Sequence, residues 1–475
     1  LDLFPTSVIA SSLVQKTYSA NFPAEFGGGV INLTTKAIPR ETFLTVSSDI
    51  SVNGETTNQL GYTYYGSSQD WSGFDNGNRD LKPALAAYLA SGQRISAGGV
   101  DTQAIASQLV TGRNAVIQRN RNLPPNGSAN ITGGTNFDIG DDATMGILFN
   151  AGYSNKWRTR DTLQQTASTL DLSQKELDFQ RVITDNRIVV NGLVGFGIEA
   201  GDQKVRWTNV FIRDTLKQAR LGVGTRQNLS PTATLMQQDT AWYERQLVNS
   251  QLVGEFKLSP DVNLSFRVGY ANSKREAPDE FSFEYYRSNQ ASDPFGNVFI
   301  NRLNNGQQGS AEVSYSYLNE NLWSGSVDLS FKITPDVTAT IGYAYSDTER
   351  RTERRDFLFT APGGTPIVSA LFRPDFLLQP DVIDFYNITL TDTNEANPVF
   401  DAGLLTNAGY GQIQAFITPE ISLNIGVRYE AATQSVTPVQ VFTVPTASLA
   451  STSLKQSYWL PAVTLTWDIN DQMKF

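Results

Sequence analysis

The chain contains neither cysteine nor histidine. The first absence removes disulfide frameworks and cysteine nucleophiles. The second removes imidazole ligands, so the usual zinc ligand sets and histidine-based triads are excluded together. No run of about eighteen apolar residues occurs, which leaves no transmembrane helix. Cations are in the minority, and the formal charge of −10 argues against a nucleic-acid partner, because phosphate binding needs clustered Lys and Arg. A slightly negative mean hydropathy is compatible with a membrane barrel, in which only every second strand residue meets lipid.

What the 475 residues do contain is 18 Tyr, 26 Phe and 7 Trp alongside 37 Gly, a mixture suited to aromatic girdles and small inward-facing residues. One stretch recurs as SPDVNLSFRVGY at Ser259–Tyr270, TPDVTATIGYAY at Thr334–Tyr345 and TPEISLNIGVRY at Thr418–Tyr429. After each Pro-acid turn, apolar residues occupy alternate positions: Val262, Leu264, Phe266, Val268, then Val337, Ala339, Ile341, Tyr343, then Ile421, Leu423, Ile425, Val427. Polar or small residues lie between them. Period two means a strand with one apolar and one polar face. Each run closes on a tyrosine eight residues after it starts (Tyr270, Tyr345, Tyr429). An apolar band of fixed height capped by an aromatic is what a lipid-facing barrel strand needs. Leu264, Phe266, Ile341, Leu423 and Ile425 are therefore expected to face lipid.

At the amino terminus, residues Phe4 to Lys36 read FPTSVIASSLVQKTYSANFPAEFGGGVINLTTK. Three consecutive glycines permit positive φ and close backbone approach, and a β-branched strand follows. The ordered set Pro5, Ile9, Val14, Lys16, Glu25, Phe26, Gly28, Gly29, Val30, Ile31, Asn32, Thr35 and Lys36 resembles the end of the plug domain of TonB-dependent outer-membrane receptors. The variants around it resemble the branch common in Bacteroidetes-like receptors. DWSGFDNGNRDLKP at Asp70–Pro83 resembles a stretch of the same branch. The resemblance implies an all-β fold: a transmembrane antiparallel β-barrel, with residues 1–38 the end of the plug and 39–475 a partial barrel.

Taken in order, Thr42–Asn53 forms the first barrel strand and residues 54–127 a long insertion, extracellular or folded into the lumen. Within it, Tyr62–Gly66 reads as part of a loop hairpin. Pro83 suits the first turn of a helix over Ala84–Ala90, and Asp101 can cap a second over Thr102–Thr111, closed by Gly112. Further strands are expected at Ala129–Ile139, Met145–Tyr153, Arg187–Glu199, Val205–Thr215, Ser250–Leu258, Ser324–Ile333, Ala408–Ile417 and Tyr458–Ile469, with another beginning at Gln472–Phe475. Together with the three repeats this makes about thirteen strands, whereas plugged transporters close with about 22. The expectation is a chain shortened at both ends, lacking a leader, a TonB box and the last hairpins.

No catalytic constellation and no metal-ligating cluster stands out, and no cofactor is expected. Asp141 and Asp142 read as turn residues. The run Asp347–Asp356 reads as a solvated strand extension, with contact of Arg350, Arg351, Arg354 and Arg355 to lipopolysaccharide phosphates as the alternative. Arg267, Arg428, Glu255, Lys257, Lys332 and Asp328 fall on the polar face and are expected to pair with plug and wall. For substrate contact the candidates are the aromatics of the long connections, Tyr62, Tyr64, Trp71, Phe74, Tyr285 and Tyr286, which equally suit loop self-packing.

The resemblance implies TonB-dependent uptake of a scarce nutrient (siderophore, oligosaccharide, peptide or similar) across the outer membrane of a Gram-negative bacterium, with no enzymatic step. The implied partners are TonB with its inner-membrane motor, outer-membrane lipid and lipopolysaccharide, the nutrient, and a surface lipoprotein. The other functional class left open is a structural or secretion-associated barrel that imports nothing.

Overall fold

The computed structural model describes residues 9–35, 38–171, 173–304, 307–444, 449–470 and 473–474. Pro5, Lys36, Gln472 and Phe475 lie outside the described residues. Two short strands, β1 (Ile9–Gln15) and β2 (Val30–Thr35), pair as an antiparallel hairpin. Strand β3 (Phe43–Ser51) is followed by a crossing segment that holds β4 (Gly61–Thr63), α1 (Pro83–Ser91), α2 (Thr102–Leu109), α3 (Gly112–Ala115) and β5 (Gln118–Asn120). Eight long strands follow: β6 (Asn126–Ile139), β7 (Ala143–Ala167), β8 (Lys175–Ala200), β9 (Gln203–Arg226), β10 (Thr234–Ser259), β11 (Val262–Arg287), β12 (Ser310–Thr334) and β13 (Val337–Thr360). After the short helices α4 (Ile367–Ala370), α5 (Pro374–Leu377) and α6 (Pro380–Phe385) come β14 (Thr389–Asp392), β15 (Val399–Thr418), β16 (Ile421–Pro438), β17 (Thr452–Asn470) and β18 (Met473–Lys474).

The fold is all-β, of barrel type. Strands β3, β6 to β13 and β15 to β18 pair antiparallel in chain order as one continuous sheet, and β14 adds beside the end of β13. Two-residue or three-residue turns, with Gly140 and Gly201 at positive φ, join strands at one rim, while long connections such as 52–125 and 361–388 lie at the other. We call these the turn rim and the loop rim.

Most strands run far past the expected ends. β8 covers 26 residues where 13 were expected, while β13 carries the charged run Asp347–Asp356 as the strand extension expected there and goes on to Thr360. Above each tyrosine the alternation of apolar and polar residues fades, so the sequence looks like loop. Cross-strand partners hold it as strand instead. Arg350 pairs with Glu320 at 2.5 Å, Arg351 with Asp401 at 3.7 Å, Arg354 with Glu280 of β11 at 3.9 Å, and the buried Arg355 with Asp392 at 3.2 Å. Tyr285 and Tyr286 likewise lie inside β11, not in a connection.

Away from the strand ends, where shifts fall at Thr166/Ala167 and Lys332/Thr334, register is unbroken from β7 to β10 and again from β12 to β15. The one irregularity in the middle of the sheet is a bulge in β11 between Ala277 and Glu280, where Asp279 adopts φ 56°. Each face of the sheet can therefore be followed by parity. One face, the hairpin side, meets β1 and β2. On the other, the far side, Val194, Phe196, Trp207, Val268, Val327, Ile341, Tyr343, Ile425 and Val463 are exposed near the turn rim. Ile341 and Ile425 thus stand outside any core, and Leu264, Phe266 and Leu423 are half-exposed on the same face.

The helices follow local signals. α1 starts on Pro83 and stops at Gly92 in the left-handed region; α2 is capped by Asp101, which accepts from the Ala104 N–H at 2.9 Å. α2 ends at Leu109, and Gly112 opens α3 instead of closing α2. The main hydrophobic core lies near the loop rim. There Leu85, Tyr88, Ile105 and Leu109 of α1 and α2 pack on Phe281, Phe283, Val313, Tyr315, Phe357 and Phe359. Each fully buried ring or branched side chain contributes about 1.5–3 kcal/mol.

Candidate functional site

On the hairpin side, the wall reaches the N-terminal hairpin through charge. The Ala24 N–H donates to both carboxylate oxygens of Glu430 at 3.3 Å. Arg428 Nε donates to Glu430 Oε2 at 2.7 Å, and its guanidinium lies 5.9 Å from the Tyr410 ring centroid. The Tyr410 hydroxyl in turn donates to Asp328. Thr35 and Thr208 meet through their hydroxyls at 3.3 Å, and Gly146 lets the chain at Ile38 approach so closely that a Cβ there would lie 2.8 Å from Ile38 Cα. Between β2 and strands β8 to β11 lies a cavity of about 230 Å³ with a mixed lining, polar at Asn32, Arg206, Gln251 and Arg267 and apolar at Leu193 and Val253 among others. Glu255 pairs with Arg206 and Lys257 with Asp202, while Lys332 is exposed at the turn rim.

The crossing segment lies on the opposite face. Its residues meet far-side positions of successive strands: the Tyr62 N–H donates to Thr184 Oγ1 at 3.0 Å, and Arg213 Nε and Thr215 Oγ1 both donate to the Gly73 carbonyl at 2.8 and 2.6 Å. Gly73 is left-handed (φ 79°), and a Cβ there would sit 3.1 Å from Ile188 Cγ2. Further along, Tyr88 packs edge-on against Phe357, and the Thr443 N–H donates to the Gly92 carbonyl at 2.8 Å. The segment therefore runs across the far side from β7 to β13 and on to the connection after β16.

A buried charge cluster fastens it. Arg79, 1 % exposed, grips Asp70 with two hydrogen bonds of 2.9 Å and Asp75 with one of 2.6 Å, and Lys217 from β9 reaches Asp70 at 2.7 Å. The Arg79 guanidinium stacks 4.1 Å from the Trp242 ring centroid. Glu244 accepts from the Trp242 indole at 2.8 Å and pairs with Arg213 at 2.5 Å. Burial pushes the Asp70 carboxyl up, but the hydrogen bonds and charges of Arg79 and Lys217 outweigh it and hold that carboxyl below the usual range. This is a satisfied network that fixes position.

The six aromatics singled out in the sequence divide accordingly. Tyr64 is buried, its hydroxyl donating to the Ala241 carbonyl at 2.9 Å, and Tyr285 is buried in the apolar core. Tyr62 is half-buried beside Thr184. Trp71 is 64 % exposed and meets Tyr153 edge-on, with centroids 6.5 Å apart. Phe74 lies under the Arg213 guanidinium at 4.2 Å. By register, Tyr286 is the one of the six that falls on the hairpin side. Sequence reasoning did not single out Asp70, Arg79, Lys217, Tyr153 or Glu430. Two of these, Asp70 and Arg79, sit inside the quoted DWSGFDNGNRDLKP stretch, where charges among aromatics were the available signal.

No protein-family model matches the chain, and no curated protein matches its sequence. Among solved structures, the siderophore receptor PiuA from Acinetobacter baumannii is similar with a TM-score of 0.42 and 10% identity, over 94% of this chain and 50% of that one. The ferric citrate transporter FecA in its unliganded form is similar with a TM-score of 0.16 and 9% identity, over 97% of this chain and 76% of that one. The chain spans half the length of the first of these. Likenesses at these scores transfer no residue roles.

Proposed function

We propose that this chain forms part of the wall, and the adjoining plug hairpin, of a TonB-dependent outer-membrane receptor for a scarce nutrient. The observation that carries the reading is an inverted burial pattern. On β16, Val427 and Tyr429 are 42 % and 40 % exposed, while the intervening Arg428 and the next Glu430 are 2 % and 5 % exposed. A water-soluble sheet buries its apolar face and wets its charges. A wall between lipid and an enclosed polar interior does the reverse.

In this reading the far-side band meets the bilayer and the turn rim faces the periplasm. The nutrient enters from the loop rim and leaves past the hairpin once TonB, driven by the inner-membrane proton gradient, displaces it. The hydroxyl contact of Thr35 with Thr208, both half-buried, supports such a role, since a hydrogen bond between partly hydrated partners can be exchanged for water at small net cost. Nutrient contact is assigned to the hairpin side near the loop rim, where Tyr286 is the aromatic candidate. Siderophores, oligosaccharides and peptides all fit this description.

Two measurements test the proposal. The full chain should be recovered only in detergent extracts of outer membranes and should migrate differently on a denaturing gel before and after heating. Cells lacking it should lose growth on one nutrient, with the same loss on removing TonB. Extraction in plain buffer sinks the barrel; unchanged uptake of every nutrient tried leaves a barrel that does not import.

A further inference from the structure

Trp71 and Phe74 stand at an unexpected place. They belong to the crossing segment, yet they sit on the far side of the wall, directly above the exposed apolar band. On β7 that face reads Ile147, Phe149, Ala151 and Tyr153, and Trp71 continues it, its ring against Tyr153 and its carbonyl accepting from the Tyr153 hydroxyl at 2.6 Å. On β8 the same face changes from exposed Val194 to fully buried Ile188 beneath Gly73, within roughly 20 Å of strand at about 3.3 Å per residue.

The segment is clamped, not draped. Gly73 is held by Arg213 and Thr215, the Asp75 N–H donates to Glu244, and Asp70 is locked by Arg79 and Lys217. The Trp71 and Gly73 carbonyls and the Asp75 N–H are thus committed to the wall while the Trp71 ring is left outside. The Trp71 indole N–H has no partner among the described residues. Leu60 and Phe74 add further exposed apolar surface on the same segment.

The wall itself carries a girdle at this level. Tyr270 and Trp323 pair with centroids 4.7 Å apart, and Tyr429 and Trp459 with centroids 4.8 Å apart, all on the far side. Such rings take positions at a membrane interface because one end is apolar and the other hydrogen-bonds to headgroups. The carboxylates nearest Trp71 and Phe74 on this segment, Asp70 and Asp75, are paired with buried cations, as is Glu244 below them, so they leave little uncompensated charge to repel an anionic leaflet.

We infer that the segment around Leu60–Phe74 is an interfacial collar: Trp71 and Phe74 lie in the headgroup layer of the outer leaflet and extend the aromatic girdle above β7 to β9. The inference rests on the barrel reading proposed above. It gives these aromatics a lipid partner in place of a nutrient.

The absence of native cysteine makes the test direct. Single cysteines replace Trp71 and, separately, Phe74, Ile341 and Leu170 in the full chain, and each carries an environment-sensitive fluorophore. The labelled proteins are reconstituted into phosphatidylcholine vesicles in which bromine sits either just below the headgroup or near the acyl-chain end. The Trp71→Cys and Phe74→Cys probes should be quenched most by the shallow bromine and poorly by aqueous iodide. Ile341→Cys should respond to the deep bromine, and Leu170→Cys, in the loop-rim connection after β7, to iodide alone. If Trp71→Cys and Phe74→Cys respond to iodide as Leu170→Cys does, the collar is wrong while the barrel stands. If Ile341→Cys also escapes both bromines, the barrel reading itself falls. Heat-dependent gel migration shows which variants are folded, and Phe74→Cys decides the matter where Trp71→Cys does not fold.

Discussion

The ammonium of Lys217 on β9 lies 2.7 Å from Asp70 Oδ2 in the crossing segment, with both groups less than a tenth exposed. This contact joins two parts of the chain almost 150 residues apart and places the segment on the far side of the wall.

Removing its anion should be costly. Asp70→Ala leaves Arg79 and Lys217 buried without their shared carboxylate, and breaking a buried pair in this way costs about 3–5 kcal/mol. The segment should then become open to protease between Leu60 and Lys82 while the wall keeps its heat-dependent gel migration. Equal protease resistance of the variant and the parent would show that the cluster does not hold the segment. Because the Asp70 carboxyl is held below its usual range, this contribution is present at neutral pH and is lost as pH falls through the depressed value.

Asp279 should behave in the opposite sense. It lies on β11 nine residues beyond Tyr270, above the apolar band, and its Oδ2 accepts from Asn114 Nδ2 at 2.6 Å. Burial pushes its carboxyl up to about 6, the Asn114 hydrogen bond and the Lys82 and Arg79 charges offsetting this only in part. The folded protein therefore holds this proton at pH values where the unfolded chain has released it. The stabilisation from that proton is complete below the ordinary carboxyl range and fades as pH rises through about 6. Asp279→Asn keeps a side chain that tolerates φ 56° and should stabilise the protein at neutral pH by up to about 3 kcal/mol. Unfolding in urea at pH 7.5 and pH 4, as arbitrary points on either side, should show the gain only at the higher pH.

Glu430→Ala should loosen the hairpin. It deletes the acceptor of the Ala24 N–H and leaves Arg428 buried beside Tyr410 without its carboxylate. Amide hydrogen exchange at residues 20–26 should quicken well beyond that of β16 itself. Unaltered exchange there would mean that Thr35, Ile38 and the cavity-lining contacts hold the hairpin alone.

Faces of one strand should differ sharply. Ile341→Arg places a cation on the exposed apolar face, and Thr338→Arg places one on the hairpin side of the same strand. The first should cost about 2–4 kcal/mol near the bilayer centre and the second far less. Comparable losses in refolding assays would contradict a lipid-facing band.

Local chemistry made much of the scaffold legible. The Pro-acid turns, the period-two runs to Tyr270, Tyr345 and Tyr429, Pro83 before α1 and the Asp101 cap all act over a few residues, so the sequence alone determined where these elements begin and which residues share a face. It did not show how far the strands extend. Above the band Arg350 and Glu320 stabilise a strand only because their chains are already neighbours, and that is a property of register rather than of composition. Nor did it show which face of the wall the crossing segment takes. Alternation is symmetric between two faces, and whether Trp71 and Phe74 lie on the hairpin side or the far side was decided by distant partners: Lys217, Arg213, Thr215 and Tyr153. Short-range geometry determined the strands; long-range ion pairs and close contacts at Gly73, found only in the folded chain, decided what lies on each side of them.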